Sequence, residues 1–205
     1  MKKYKKENIL DMSRKAGPRV RADLADALFR DMPFRPIFID AFEYEVETVD
    51  DKTIDVPILT EEVLIKTGRI IFENLAKQDI VLVNLSMPSD NIYTGKHAVA
   101  LGIDKKSGKI YYNNSFGIDM RGDLKDFLAE SLPGYSWEFS KEVQQDVSRD
   151  DNSCSYLALY NLRDMLYKMS GQHSKVKNFG SVSARQDAWD NLKDIDIESM
   201  ENKIG

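Results

Sequence analysis

The sequence predicts an α+β fold: a central, mainly antiparallel sheet flanked by helices. Three observations carry this prediction. Helical patterning fills the first thirty residues, a series of short strand-like segments dominates the middle, and a long helical run headed by the single cysteine follows them. Strands and helices do not alternate in the regular βαβ manner of a parallel sheet. At 205 residues, with 42% apolar and 31% charged side chains, the chain is long enough to close one core.

In order, residues 1 to about 30 read as charged, helical pieces around "AGP", and "VRADLADALFRDM" repeats apolar positions at helical spacing. Two prolines in "DMPFRPIF" end that region. "FIDAFEYEVETVDDKTIDVPIL" supplies a hairpin or an irregular strand pair. "TEEVLIKTGRIIFENLAK" is a helix with Thr60 as N-cap and acids in its first turn; Val63, Leu64, Ile70, Ile71 and Leu75 form its apolar stripe. "DIVLVNLSM" reads as a short buried strand. "HAVALGIDK", a "KSG" turn and "KIYYNNSF" make a hairpin. "RGDLKDFLAESL" is a helix closed by "PG", and "YSWEFSKEV" another strand. The next helix runs from near Cys154 to about Ser170, with apolar surface from Tyr156, Leu159, Tyr160, Leu162, Leu166 and Met169. "SARQDAWDNLKDI" is a last helical patch.

Several function classes fall away. A net charge of -5 argues against general nucleic-acid binding, and the basic residues at the front read as a solvated, flexible terminus. One cysteine cannot form an internal disulfide. "IVLVNL" is far too short to span a membrane, and the basic N-terminus lacks the apolar stretch of a Sec-type signal. One Cys and two His without close spacing build no metal site, and no cofactor is expected. "KKSGK" is not a phosphate-binding loop; neither "DDNS" nor "DIDIES" matches a calcium loop. His173, just past a helix end, reads as a surface group facing the last carbonyls.

A cysteine nucleophile needs a base, a group that orients the base, and donors for the oxyanion. His97 opens one strand of the hairpin, and Asn114, seventeen residues on, ends its partner. In an antiparallel pair with a short turn those two positions are neighbours. Cys154 follows at a helix start, with Asp151, Asn152 or Ser153 as the capping candidates. First-turn N–H groups and the positive helix end favour thiolate there. Gln144 and Gln145 precede it. Taken singly, each residue has an ordinary reading: small buried filler for the Cys, an edge histidine, turn chemistry for the Asn, surface for the Gln pair. Their joint order is what selects the catalytic reading.

The order His, amide, Gln, Cys at a helix start resembles the ubiquitin-like-protein proteases of clan CE. The family's strand-turn-strand reads H-W-x-x-x-x-I-D…Y-x-D-S; this chain reads "HAVALGID…IYYNNS", and Asn114-Ser115 aligns without a gap on the family's Asp-Ser. The resemblance covers roughly residues 60–170, which makes 1–59 an N-terminal, possible substrate-selecting extension and 171–205 a C-terminal helical extension of the same domain. It implies a Cys154–His97–Asn114 triad with Gln145 in the oxyanion hole, and Ala98, Gln144 and Ser155 beside the substrate. The departures are Ala98 for the family's Trp, Asn114 for Asp, Ser155 for Gly, and a Gln displaced by a three-residue insertion. A Cys-His-Asn triad is known from papain-like enzymes. The implied activity is a thiol peptidase acting on ubiquitin or a ubiquitin-like protein. Bacterial members of the clan are often effectors delivered into the host cytosol, which suits a chain with no Sec-type signal, as does a cytoplasmic location. Two alternatives share the fold: a YopJ-type Ser/Thr/Lys acetyltransferase using the same Cys, and a non-catalytic binding module.

Overall fold

The computed structural model describes residues 18–89, 95–145, 153–172 and 179–191. Asp151, Asn152 and His173, together with the basic N-terminus and the end of the tail, lie outside the described residues.

Helix α1 (Pro18–Phe29) opens the described chain, with proline where a helix needs no N–H. Strand β1 (Ile37–Asp40) follows, then a hairpin of β2 (Glu43–Val49) and β3 (Lys52–Ile58). Val49 pairs Lys52, so the loop is Asp50-Asp51, both in the left-handed region at φ 50° and 60°. Positive φ at both centres is the turn whose twist suits a hairpin, and Asp tolerates it better than most side chains. Helix α2 (Glu61–Leu75) begins as expected: the Thr60 side chain accepts the Val63 N–H at 3.3 Å, and Glu61 and Glu62 face the positive helix end.

The main sheet contains β4 (Ile80–Pro88), β5 (Lys96–Asp104), β6 (Lys109–Asn113) and β7 (Ser136–Phe139), in the order β1-β4-β5-β6-β7. Its centre is antiparallel, β4 with β5 and β5 with β6. Both edge pairs, β1–β4 and β6–β7, are parallel. Parallel neighbours require a crossover. The hairpin with α2 provides one, and α3 (Gly122–Ser131) provides the other. The sheet is therefore mixed. The sequence reading placed β1 within a strand pair, whereas it stands apart from the hairpin as an edge of the main sheet.

Two apolar layers cover the sheet. Alternation along β4 and β5 sends Leu82, Ala98 and Ala100 to one face and Val83, Leu85, Val99 and Leu101 to the other. The first face is covered by α1 and α4 (Cys154–Met169), the second by α2 and α3. All nine residues of β4 are buried, which is why its sequence is largely apolar, interrupted by the buried Asn84 and Ser86, rather than alternating. Helix α5 (Val182–Asn191) packs on α4, where Tyr156 donates its hydroxyl to the Ala188 carbonyl at 2.7 Å.

Small residues on β5 set how α4 lies. A Cβ on Gly102 would sit 2.5 Å from Met169 Cε and 3.3 Å from Met165 Sδ. One row earlier, Asn113 pairs Ala100 across the sheet and accepts from Asn161 Nδ2 at 2.7 Å. Helix and strand numbers fall together, so α4 runs in the same direction as β5. Eleven residues of helix from Met165 back to Cys154 span roughly 16 Å. Five residues of strand from Gly102 back to His97 span about 17 Å. Cys154 therefore stands level with His97 at one end of the sheet, with the thiol on the α4 side and the imidazole on the α2/α3 side.

Asp164 on α4 is buried, and that burial pushes its carboxyl up to about 7; Arg163 opposes the rise and Asp187 on α5 adds to it. The fold thus holds a proton that the unfolded chain releases above pH 4, so stability falls as pH rises from about 4 to about 7. Asp164→Asn should raise the unfolding free energy at pH 8 by an amount on the order of 2 kcal/mol and flatten this slope in a pH series of thermal melts. Gly180, at φ 72°, is pressed on Asn113, whose Nδ2 would lie 2.1 Å from an added Cβ. Gly180→Ala should cost roughly 2 kcal/mol or more in urea unfolding.

Candidate active site

His97 is the second residue of β5 and 4% exposed. Its side chain leaves the sheet on the α2/α3 face with Met87, its cross-strand partner. There the ring stacks on Phe116, centroids 4.1 Å apart. Asn114 lies one residue past β6. Its Oδ1 accepts the Phe116 N–H at 2.9 Å, an Asx turn that fixes which end of the amide is oxygen. The backbone closes the same turn, with Gly117 N–H donating to the Asn114 carbonyl at 2.8 Å. Gly117 takes φ 70°, and an added Cβ would lie 2.6 Å from the Lys141 carbonyl oxygen.

His97 Nε2 is 2.9 Å from that same Oδ1. An amide oxygen only accepts, so Nε2 carries the proton and Nδ1 holds the lone pair. Burial lowers the imidazole pKa to about 4, against a smaller upward pull from the Asn114 hydrogen bond. The ring is neutral at pH 7, in one tautomer, with a fixed acceptor nitrogen.

Ser115 extends the network. Its Oγ lies 3.4 Å from Nε2 and donates to Gln145 Oε1 at 2.7 Å. Its carbonyl accepts the backbone N–H groups of Gln144 and Gln145, at 2.8 and 2.9 Å. With Oε1 turned toward Ser115, the amide nitrogen of Gln145 is the end turned away. Imidazole, Asn114, Ser115 and Gln145 thus form one connected, buried group. In the sequence Ser115 enters only through the match of Asn114-Ser115 to the family's Asp-Ser, with no role of its own.

Gln144 lies on the other side. It is fully buried, donates from Nε2 to Asn161 and to the Ser181 carbonyl, and accepts from Asn161 Nδ2 at 2.8 Å. Ala98 is buried under α4. Cys154 begins α4, half-buried against the α4-side layer, and Ser155 follows it, also half-buried. Ser153 stands at the N-cap with no capping hydrogen bond from its side chain. Beside His97 a small cleft lies between Pro88, Ser89, Ile118, Asp119 and Arg121, residues to which the sequence reading assigned no role. Among the described residues, no group of three His, Cys, Asp or Glu side chains could hold a metal ion, and no helix is long and apolar enough to cross a membrane.

No protein-family model matches the chain, and no characterised protein matches it in sequence. Solved structures similar to it include the Legionella pneumophila effector protein RavZ, at 12% identity and TM-score 0.44, covering 86% of this chain and 63% of that one. Another is the SUMO protease Ulp1, at 12% identity and TM-score 0.41, covering 95% and 96%. A third is the ASFV protease, at 17% and 0.40, covering 82% and 67%. The chain spans less than two thirds of the RavZ chain. All three TM-scores lie below 0.5 and all three identities below 25%, so the site of this protein stands on its own geometry.

Proposed function

We propose that the protein is a cysteine peptidase that cleaves ubiquitin or a ubiquitin-like protein from its conjugates, with Cys154 as nucleophile. The observation that carries this reading is the buried, neutral His97, locked by Asn114 into the tautomer that leaves Nδ1 as acceptor. A buried histidine that only filled space would not need its proton placed. The level match of Cys154 with His97 supports the same reading, as does the thiol's place in the first turn of α4. The clan CE resemblance of "HAVALGID…IYYNNS" supplies the substrate class.

In this mechanism the thiol and the imidazole approach across the end of the sheet, beyond the first residues of β5. Nδ1 takes the proton from Cys154 Sγ, and the thiolate attacks the scissile carbonyl. The imidazolium keeps its second proton on Nε2, held by Asn114. Asn114 lends orientation and no negative charge, as in other Cys-His-Asn enzymes. The tetrahedral oxyanion forms beside the N–H groups of the first turn of α4 and the Gln145 amide. Collapse expels the amine, which takes the proton from Nδ1. Water, deprotonated by the same nitrogen, then releases the acid and frees the thiol. A chain of this class acts in a cytosol, its own or a host's, and this reading includes delivery as an effector.

The direct test is covalent capture by ubiquitin, SUMO and NEDD-type propargylamides. We expect one of them to add to Cys154, with no adduct on Cys154→Ala and a loss of at least about 10³-fold in His97→Ala. A chain that no probe labels, and whose thiol alkylates no faster than a free cysteine, is a binding module and not a peptidase. Because burial holds the imidazole neutral down to about 4, the acid limb of kcat/KM should fall well below pH 6.5, the midpoint of an exposed histidine. Ser115→Ala should reduce acyl transfer about 10–100-fold while leaving iodoacetamide alkylation of Cys154 nearly unchanged, since alkylation forms no oxyanion. Equal losses in both would assign Ser115 to the fold alone.

A further inference from the structure

We propose that the β2–β3 hairpin is the docking surface for a basic protein substrate, which it leads to the His97 end of the sheet. This rests on the peptidase reading above and deepens it, by assigning the surface that selects the substrate and the chemistry it selects for.

Charge is the first argument. Residues 43–58 contain six carboxylates, Glu43, Glu45, Glu47, Asp50, Asp51 and Asp55, and one cation, Lys52. The segment therefore carries a formal charge of -5, equal to that of the entire chain, so the other residues are neutral in sum. Glu43, Glu45 and Glu47 follow one another along one face of β2 and repel, at a cost to the hairpin's own stability. A partner with lysines and arginines at matching positions relieves that repulsion and is steered to it over roughly a Debye length.

Apolar exposure is the second. Pairing places Tyr44 and Val46 on one face of the hairpin, opposite Pro57 and Asp55. Tyr44 is 53% and Val46 64% exposed, and Val49 on the other face is 41% exposed. Strand alternation puts Asp55 on the face of Tyr44 and Val46, and Glu43, Glu45 and Glu47 on the other face with Val49, so each face combines carboxylate with exposed apolar surface.

Position is the third. Tyr44 accepts a hydrogen bond from Lys96 Nζ at 2.8 Å, and that ammonium lies 4.7 Å above the Phe42 ring. Lys96 immediately precedes His97. The hairpin base is thus tied to the residue next to the candidate base, which sets both faces of the hairpin at the His97 end of the sheet. The same charge disfavours other occupants: a second copy would set six carboxylates against six, and phosphate-rich nucleic acid or anionic bilayers would be repelled.

The test uses the full chain with ubiquitin, SUMO and NEDD-type proteins, first without a warhead in a binding titration, then as propargylamides. Two variants guard against misfolding. Glu43→Lys/Glu45→Lys reverses two charges; Asp50→Asn/Asp51→Gly removes two while giving the turn the residues it prefers. We expect labelling by the preferred protein to fall at least about tenfold in the first and about threefold in the second. Raising salt to about 0.3 M should weaken wild-type labelling similarly, while iodoacetamide alkylation of Cys154 stays at the wild-type rate in all cases. Labelling of both variants within about twofold of wild type overturns the docking proposal and leaves the peptidase reading intact. Salt-sensitive, variant-sensitive binding without any adduct overturns the peptidase reading and leaves the docking surface standing. A chain that binds none of these proteins at low salt overturns the docking proposal.

Discussion

The structure depends on three consecutive side chains where β6 ends. Asn113, Asn114 and Ser115 are all buried, and each is tied to a different part of the protein. Asn113 accepts from Asn161 on α4, Asn114 holds His97 on β5, and Ser115 holds Gln145 in the loop after β7. Gln144 and Gln145 answer from the other side, one bonded to Asn161 and one to Ser115. Two short polar runs thereby interlock the sheet, α4 and the loop that leads to Cys154. Buried amides left without partners cost more than the bonds return when made, so these bonds set geometry more than they add stability.

That geometry decides the chemistry available. An imidazole on the same strand with no amide oxygen beside it would be free to place its proton on either nitrogen. Here the Phe116 N–H fixes the Asn114 oxygen, and the oxygen fixes the imidazole. Desolvation then keeps the ring neutral. Asp164 on α4 is also kept neutral by burial through part of the pH range, but it lies among α4 and α5 contacts and not at the His97 end. The two groups oppose each other in acid: protonating Asp164 suits the fold, and protonating His97 does not.

Around this rigid centre the chain divides its labour. The antiparallel core of β4, β5 and β6 carries His97 and Asn114 on packed backbone, covered on both faces. The β2–β3 hairpin lies outside that sheet, where neither its carboxylates nor its exposed Tyr44 and Val46 contribute to the central core. Placing charge and exposed apolar surface on an appendage keeps their cost out of the region that must hold the imidazole to a fraction of an ångström.

Much of this was legible in the order of residues, because it depends on local physics. Thr60 and its acids mark a helix start, the mostly apolar "IVLVNL" marks a doubly covered strand, and a seventeen-residue spacing across a tight turn makes His97 and Asn114 neighbours whatever the rest of the chain does. The parallel pairing of β1 with β4 was not legible, since it joins segments forty residues apart through a crossover that leaves no periodic trace. Nor were the opposite fates of the Gln pair, as one residue of register decides which side a side chain takes and only packing against α4 and β6 sets that register. The sequence by itself determined which chemical groups are present and which are near neighbours along a hairpin. Tertiary structure alone decided their burial and which nitrogen of His97 bears the proton, because both are set by atoms that sequence distance does not bring together.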